Sequence, residues 1–258
     1  MATFRNSNFG TNRIGGEGLG SKAGQGIYAE SSTPRYDIGE KLELSDGRIF
    51  RYCYTAGSIG RGLLVSQDVS ATAIVESDGK LTAASAGATD VTYTDSGTVG
   101  SASLNQYAGG YLHTTDDAGE GYQYRIKSNT AASSNAITFT LYDGLEVAVT
   151  TATDVAVTGN LWYNVTGATA ATDYIISGVT PINFTANYYG WVQTAGVATI
   201  LSDGAVAIGA NLTLSDDTSG IVGAVQTKDA ETEPLVGFAT FASDDTGYVG
   251  VVLQGLVA

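Results

Sequence analysis

The sequence is poor in the residues that carry most enzyme chemistry and metal binding. Its 258 residues include a single cysteine, Cys53, and a single histidine, His113. A lone cysteine excludes an internal disulfide, and one cysteine with one histidine cannot form a transition-metal cluster. A Ser–His–Asp triad would have to include His113, in GGYLHTTDD, where nothing favours one. We therefore predict no catalytic residue, no metal site and no cofactor, and a histidine that lies at a surface or an interface.

Positive charge is also scarce. Twelve Lys and Arg face 26 Asp and Glu, so the net charge is −14. Nucleic-acid binding needs a basic face that replaces counterions on phosphate, so we predict no nucleic-acid partner. The first residues, MATFRNSNFG, contain no apolar signal region, and the longest charge-free run, 174–202, contains Pro181, Asn183, Asn187 and several Thr, which favours strands and turns over a membrane span. We predict a soluble protein with no membrane partner, synthesised in a cytoplasm.

The abundant residues favour strands and turns. Glycine occurs 34 times, and 43% of the residues are hydrophobic. The segment EGYQYRIKS alternates apolar and polar residues, as does AITFTLYDG, and the turn-forming SNTAASSNA between them predicts a hairpin. No window of twelve residues shows a helical stripe. We predict an all-β protein, either a compact β-barrel or β-tulip or a sandwich of short antiparallel strands, with an extended N-terminal arm.

The second half of the chain continues this pattern. GWVQTAG, VATILSDG and AVAIGANLTLSDD are predicted as separate strands. SDDTG predicts a hairpin that joins residues 238–241 to 248–253. EVAVTTATDVAVTG predicts two further short strands.

Three segments are predicted. Residues 1–34 form a flexible Gly-rich arm, since GTNRIGGEGLGSKAGQG shows no hydrophobic period. Such an arm either becomes ordered along a partner or stays a free terminus. A β-rich body spans 35–185 and a compact C-terminal β module spans 186–258, divided where Pro181 and an aromatic run interrupt the pattern.

Charge is unevenly distributed along the chain. Residues 1–65 hold eight cations against six acids, and the remainder holds four cations against twenty acids. This asymmetry favours an N-terminal contact with an acidic partner or a neighbouring subunit, and compositional drift is the alternative. The candidate contact residues are Arg5, Arg13, Lys22 and Arg35.

Other motifs have ordinary explanations. GGEGLGSKAG departs from the phosphate-loop pattern, because Ser21 precedes Lys22. Adjacent acids at 116–117, 216–217 and 244–245 are typical of polar turns; calcium binding is the alternative, with TTDDAGEG its best candidate. Fifteen Tyr and two Trp fit strand cores and interfaces, or stacking on sugars.

Two segments resemble a known family. They are YAGGYLHTTDDAGEGYQYRIKSN with ITFTLYDGLEVAVTT, and the stretch from YYGWVQTAGVATILSDG to DDTGYVGVVL. Both are similar to the capsid decoration (cement) proteins of tailed bacteriophages, especially marine ones. The resemblance covers roughly residues 107–258.

The resemblance implies a non-enzymatic virion protein. Such proteins bind the major capsid protein on the outer surface of the head, usually as homotrimers at local three-fold positions, and take no small-molecule substrate. The family has no catalytic motif to transfer, and its shell contacts vary. The alternative from composition is a receptor-binding or tail-fibre module that recognises cell-surface glycans. A β-rich hydrolase would need an acid pair across a cleft, and no pair in the sequence indicates one.

Overall fold

A computed structural model describes residues 24–67, 79–95, 102–169, 175–216, 221–229, 233–254 and 256. All regular secondary structure in these residues is β, which confirms the predicted all-β class. Within the same ranges, no helix has the length and apolar character needed to cross a membrane. The chain divides into two compact units: residues 1–67 together with 164–258, and residues 68–163.

The described residues form sixteen strands, numbered here in chain order, and ten of them belong to the first unit. They are β1 Lys41–Glu43, β2 Ile49–Tyr54, β3 Leu64–Gln67, β10 Val165–Gly167, β11 Ile176–Val179, β12 Tyr189–Ser202, β13 Asn211–Leu214, β14 Val225–Thr227, β15 Gly237–Ala239 and β16 Gly247–Leu253. The second unit contains β4 Gly79–Leu81, β5 Asp90–Asp95, β6 Tyr111–Asp116, β7 Gln123–Asn129, β8 Ala136–Leu141 and β9 Asp154–Thr158.

Strand β12 is 14 residues long and belongs to two sheets. Its first half pairs antiparallel with β2, and its second half pairs antiparallel with β16 from Gly196 to Ser202. The register shifts just before Gly196, whose φ of +84° suits a glycine, and a Cβ there would lie 2.9 Å from Arg48 Cγ. The prediction of two strands here was wrong, because the chain continues as one strand through the register shift between Gln193 and Ala195 and through Gly196.

The first half of β12 lies in a curled antiparallel sheet with the order β1-β2-β12-β11-β3-β10. Thr55, just after β2, bridges to Val165 of β10, so the curled sheet returns toward its own start. Large apolar side chains of β1, β2 and β12 form a hydrophobic core. This core includes Leu42, Phe50 and Trp191, each fully buried. Burial of such side chains is the main stabilising contribution to this layer.

The second half of β12 lies in a closed ring of five strands, β12-β14-β13-β15-β16. The antiparallel pairing of β15 with β16 confirms the predicted C-terminal hairpin. The interior is lined by alternate residues of each strand, including Ile200, Leu212, Val225 and Val249, all fully buried. Strand β12 therefore contributes one wall to each of two cores.

The second unit is a closed six-stranded barrel with the order β4-β5-β8-β7-β6-β9. The pairing of β7 with β8 confirms the predicted hairpin, and the alternation places Ile126 and Phe139 inside the barrel with no exposed surface. One predicted strand, at EVAVTT, was wrong, because only the isolated bridge between Ala84 and Val149 forms there. The barrel has its own hydrophobic core.

The unit boundaries differ from the predicted division at residues 35–185 and 186–258. The barrel leaves the first unit after Gln67 and returns at Val165, and these two residues are direct partners in the β3–β10 ladder. Strand β2 pairs with β12, so one sheet joins residues that lie on both sides of the predicted boundary. Only 24–34 of the predicted arm is described, and it packs on the first unit.

Removal of the barrel should leave a folded first unit. We expect a chain in which Asn-Gly replaces residues 68–164 to unfold cooperatively, because Gln67 and Val165 would then flank a two-residue hairpin turn. Near-ultraviolet circular dichroism of the buried Trp191 reports the outcome. Loss of that signal in the shortened chain, with the isolated barrel still folded, would contradict the independence of the first unit.

Candidate functional site

The start of the described chain is fixed to the first unit by Gln25. Its side-chain amide donates to the carbonyl oxygens of Ala29 and Tyr189, both at 2.8 Å, and its Oε1 accepts a 2.6 Å hydrogen bond from the Tyr52 hydroxyl. Its carbonyl oxygen accepts a 3.0 Å hydrogen bond from Nε1 of Trp191. Gln25 is only 6% exposed, so a polar side chain that is costly to bury has all its partners in place.

These partners belong to an aromatic cluster within the first unit. The rings of Tyr52 and Trp191 lie 4.9 Å apart, and Tyr36 packs 5.3 Å from each of them. Tyr189 stacks on Tyr52 at 6.3 Å. This aromatic cluster therefore forms part of a hydrophobic core and also holds Gln25, as expected for aromatic residues that serve packing.

Three residues after Gln25, a turn brings Tyr28 to the wall of a groove. The groove has a volume of about 410 Å³ and is lined by Tyr28, Arg48, Arg61, Val197, Thr199 and Tyr248, among others. Thr199 and Val197 project from the exposed side of β12, and Tyr248 from the exposed side of β16. The two halves of the site, the Gln25 anchor and the groove, are therefore built on the same strand.

Arg48 is held in a fixed direction at one side of the groove. Its Nε donates to Oδ2 of Asp46 at 2.7 Å, and its guanidinium lies 5.7 Å from the centre of the Phe50 ring. Burial alone would lower the pKa of Arg48, but hydrogen bonds to Asp46 and Tyr28 outweigh it and raise that pKa. The side chain is therefore a permanent cation with restricted motion.

Arg61 lies at the other side, on a fixed backbone. Its N–H donates to Oδ1 of Asn183 at 2.9 Å, and its carbonyl oxygen accepts from the Tyr248 hydroxyl at 3.4 Å. The neighbouring Gly62 has a φ of +68°, and a Cβ there would lie 2.6 Å from the Tyr248 ring. A glycine is required because the tyrosine packs directly on the backbone. The Arg61 side chain is exposed and has no salt bridge within the described ranges.

The residues predicted as contacts occupy other places. Arg5, Arg13 and Lys22 lie outside the described residues. Arg35 is exposed, its N–H donates to the Tyr52 hydroxyl at 3.1 Å, and it does not line the groove. Sequence reasoning missed Arg48 and Arg61, although both belong to the more basic first 65 residues, the signal that identified the other four.

The histidine, the cysteine and the adjacent acids at 116–117 are buried or hydrogen-bonded within the fold. His113 is half-buried, with Nε2 2.9 Å from the Thr158 hydroxyl. Cys53 is fully buried, and burial raises the pKa of its thiol to about 12. Oδ1 of Asp116 accepts from the N–H of Asp117, whose own carboxylate accepts from Thr150. Within the described residues, no three His, Cys, Asp or Glu side chains are close enough to hold a metal ion.

A second exposed aromatic surface lies on the barrel. Tyr111 of β6 is the direct partner of Arg125 on β7, and the Arg125 guanidinium lies 4.8 Å from the centre of the Tyr142 ring. Tyr111 is 39% exposed and Tyr142 is 51% exposed. This row resembles the stacking surfaces that proteins offer to planar or sugar-ring ligands.

Comparison with known proteins adds no identification: no family model matches the chain, and no curated protein or solved structure matches it.

Loss of the Gln25 side chain should destabilise the first unit. We expect Gln25→Ala to lower the free energy of unfolding by about 1–3 kcal/mol, because the buried Tyr189 carbonyl and Tyr52 hydroxyl lose hydrogen bonds. Urea denaturation followed by Trp fluorescence measures this change. The control is Gln226→Ala, which removes only two exposed hydrogen bonds with Asp216, and there we expect a change within about 0.5 kcal/mol. Equal effects of the two substitutions would contradict an anchoring role for Gln25.

Alkaline pH should lower the stability of the first unit, because the buried Tyr52 hydroxyl and Cys53 thiol resist the loss of their protons in the folded state. Burial raises the pKa of Tyr52 from 10.0 to about 12 and that of Cys53 from 9.0 to about 12. The folded state thus retains protons that the unfolded state releases, and this stability is complete below about pH 9 and lost as the pH rises toward 12. We expect urea midpoints to fall over this window, less steeply in Tyr52→Phe. A midpoint independent of pH, or rapid reaction of native Cys53 with a thiol reagent, would contradict this account.

Proposed function

We propose that this chain is a non-enzymatic capsid decoration protein of a tailed bacteriophage. It binds the major capsid protein on the outer surface of the head, as a homotrimer at local three-fold positions, and stabilises the shell. It is synthesised in the host cytoplasm and resides in the virion. The proposal rests on the resemblance of residues 107–258 and on the features of the first unit described above.

The observation that carries the proposal is the anchored start of the described chain. Gln25 fixes this segment to the aromatic core by hydrogen bonds of 2.6–3.0 Å. The residues before it include three cations and one acid, Arg5, Arg13, Lys22 and Glu17. Because Gln25 fixes the point to which this basic segment is joined, the segment is suited to contact an acidic surface on a neighbouring subunit. Its contact adds to that of the body, and linked contacts multiply modest affinities.

The rest of the first unit supports an assembly role. Its exposed apolar side chains include Ile208 at 71%, Phe241 at 50% and Val252 at 37% exposure. Side chains of this kind supply area for contacts between copies in a cyclic trimer. The strands paired on both sides of β12 support a rigid body, which a protein that stabilises a shell requires.

Binding to phage heads tests the proposal. We expect the full chain to co-sediment with heads prepared from a phage that lacks its gene, and to raise the temperature at which those heads release DNA. A chain that begins at Gly24 should bind at least about tenfold more weakly, because it lacks the basic segment. A full chain that remains in the supernatant would overturn the proposal.

The exposed row on the barrel favours a second candidate function, a receptor-binding module for cell-surface glycans. Tyr111, Arg125 and Tyr142 together offer two stacking faces and one cation. Binding to host-cell polysaccharide, abolished by Tyr142→Ala with the fold retained, would support this function. Head binding that is unchanged by the same substitution would support the decoration role.

A further inference from the structure

The groove of the first unit is a cationic concavity on a strongly acidic protein. The chain carries a net charge of −14, yet the groove is lined by Arg48 and Arg61, and its described lining residues include no Asp or Glu. A concave surface of one charge sign concentrates ligands of the opposite sign. The groove therefore favours an anionic ligand, although the net charge of the whole protein is negative.

The two arginines differ in which part of the residue is fixed: the side chain of Arg48 and the backbone of Arg61. Arg48 is oriented by its 2.7 Å hydrogen bond to Asp46, so it loses little side-chain freedom when it binds. Arg61 is exposed and has no salt bridge in the described part of the chain, while its backbone is fixed through Asn183. An arginine donates two parallel hydrogen bonds to a carboxylate, which gives the pair both strength and direction.

Apolar surface lies beside the two cations. Tyr28 is 69% exposed, Val197 is 55% exposed and Tyr248 is 43% exposed. Tyrosine and arginine are the residues that most often dominate binding at protein interfaces. A groove that combines charge with apolar surface fits a peptide that carries both acidic and aliphatic side chains. It does not fit nucleic acid, because two cations offset little of the repulsion that a −14 chain exerts on phosphates.

We propose that this groove binds an acidic peptide segment of the shell protein, with Arg48 and Arg61 holding carboxylates and Tyr28, Val197 and Tyr248 contacting its apolar side chains. The identity of the partner rests on the decoration function proposed above; the chemistry of the ligand rests on the groove alone. The main shell contact is then formed by arginines of the folded unit, in addition to the N-terminal cations.

A peptide assay tests the ligand chemistry without phage heads. The probe is a short fluorescein-labelled peptide of alternating Glu and Leu, compared with the same peptide carrying Gln in place of Glu. Fluorescence anisotropy should show tighter binding of the Glu peptide, and Arg61→Gln should weaken it about tenfold or more. The control, Lys127→Gln, removes an equal charge from an exposed position on the barrel and should leave binding unchanged. Equal binding of both peptides, or no effect of Arg61→Gln, would overturn the inference.

Crosslinking to heads then tests the partner. Cys53 is fully buried, so a thiol-reactive photocrosslinker labels only an introduced cysteine. Val197→Cys in the groove should crosslink to an acidic segment of the shell protein, and Ile175→Cys, an exposed site of the first unit outside the groove lining, should not crosslink to that segment.

The two proposals fail separately in these experiments. Heads that bind the chain but give no Val197→Cys crosslink to an acidic shell segment would overturn the groove inference and leave the decoration function standing. Crosslinks that join only copies of this chain would have the same meaning. A chain that does not bind heads, but binds the Glu peptide more tightly than the Gln peptide, would overturn the decoration function and support the proposed ligand chemistry of the groove.

Discussion

The pairing of β12 on both sides of Gly196 is the constraint on which the first unit depends. The strand forms a ladder with β2 in its first half and with β16 in its second half. A left-handed residue at the junction lets the strand change partners without ending, and only glycine takes that conformation against Arg48 at low cost. Because both ladders share this strand, the two cores of the unit cannot separate without breaking it.

The same strand positions the residues of the candidate site. Trp191 and Tyr189, in the first half, hold Gln25. Val197 and Thr199, in the second half, form a wall of the groove, and Arg48 packs against Gly196 between them. The anchored N-terminal segment and the cationic groove are thus two features of one rigid support.

The sequence predicts the local elements better than their assembly. Period-two alternation at residues 123–141 predicts the β7–β8 hairpin, because that signal depends on burial of one face. The pattern around Gly196 predicts a break between strands, since a glycine in a turn and a glycine within a continuous strand have the same local pattern. The inserted barrel was missed because Gln67 and Val165 are neighbours in space and nearly one hundred residues apart in sequence. Arg48 and Arg61 were missed for the same reason: their proximity follows from long-range pairing.

Location in the particle tests the central claim most directly. Intact virions would be labelled with a gold-conjugated antibody against this chain and imaged by electron microscopy. The account predicts label distributed over the whole outer surface of the head. Label confined to the tail would contradict it and would turn attention to the exposed Tyr111–Arg125–Tyr142 row as the binding surface.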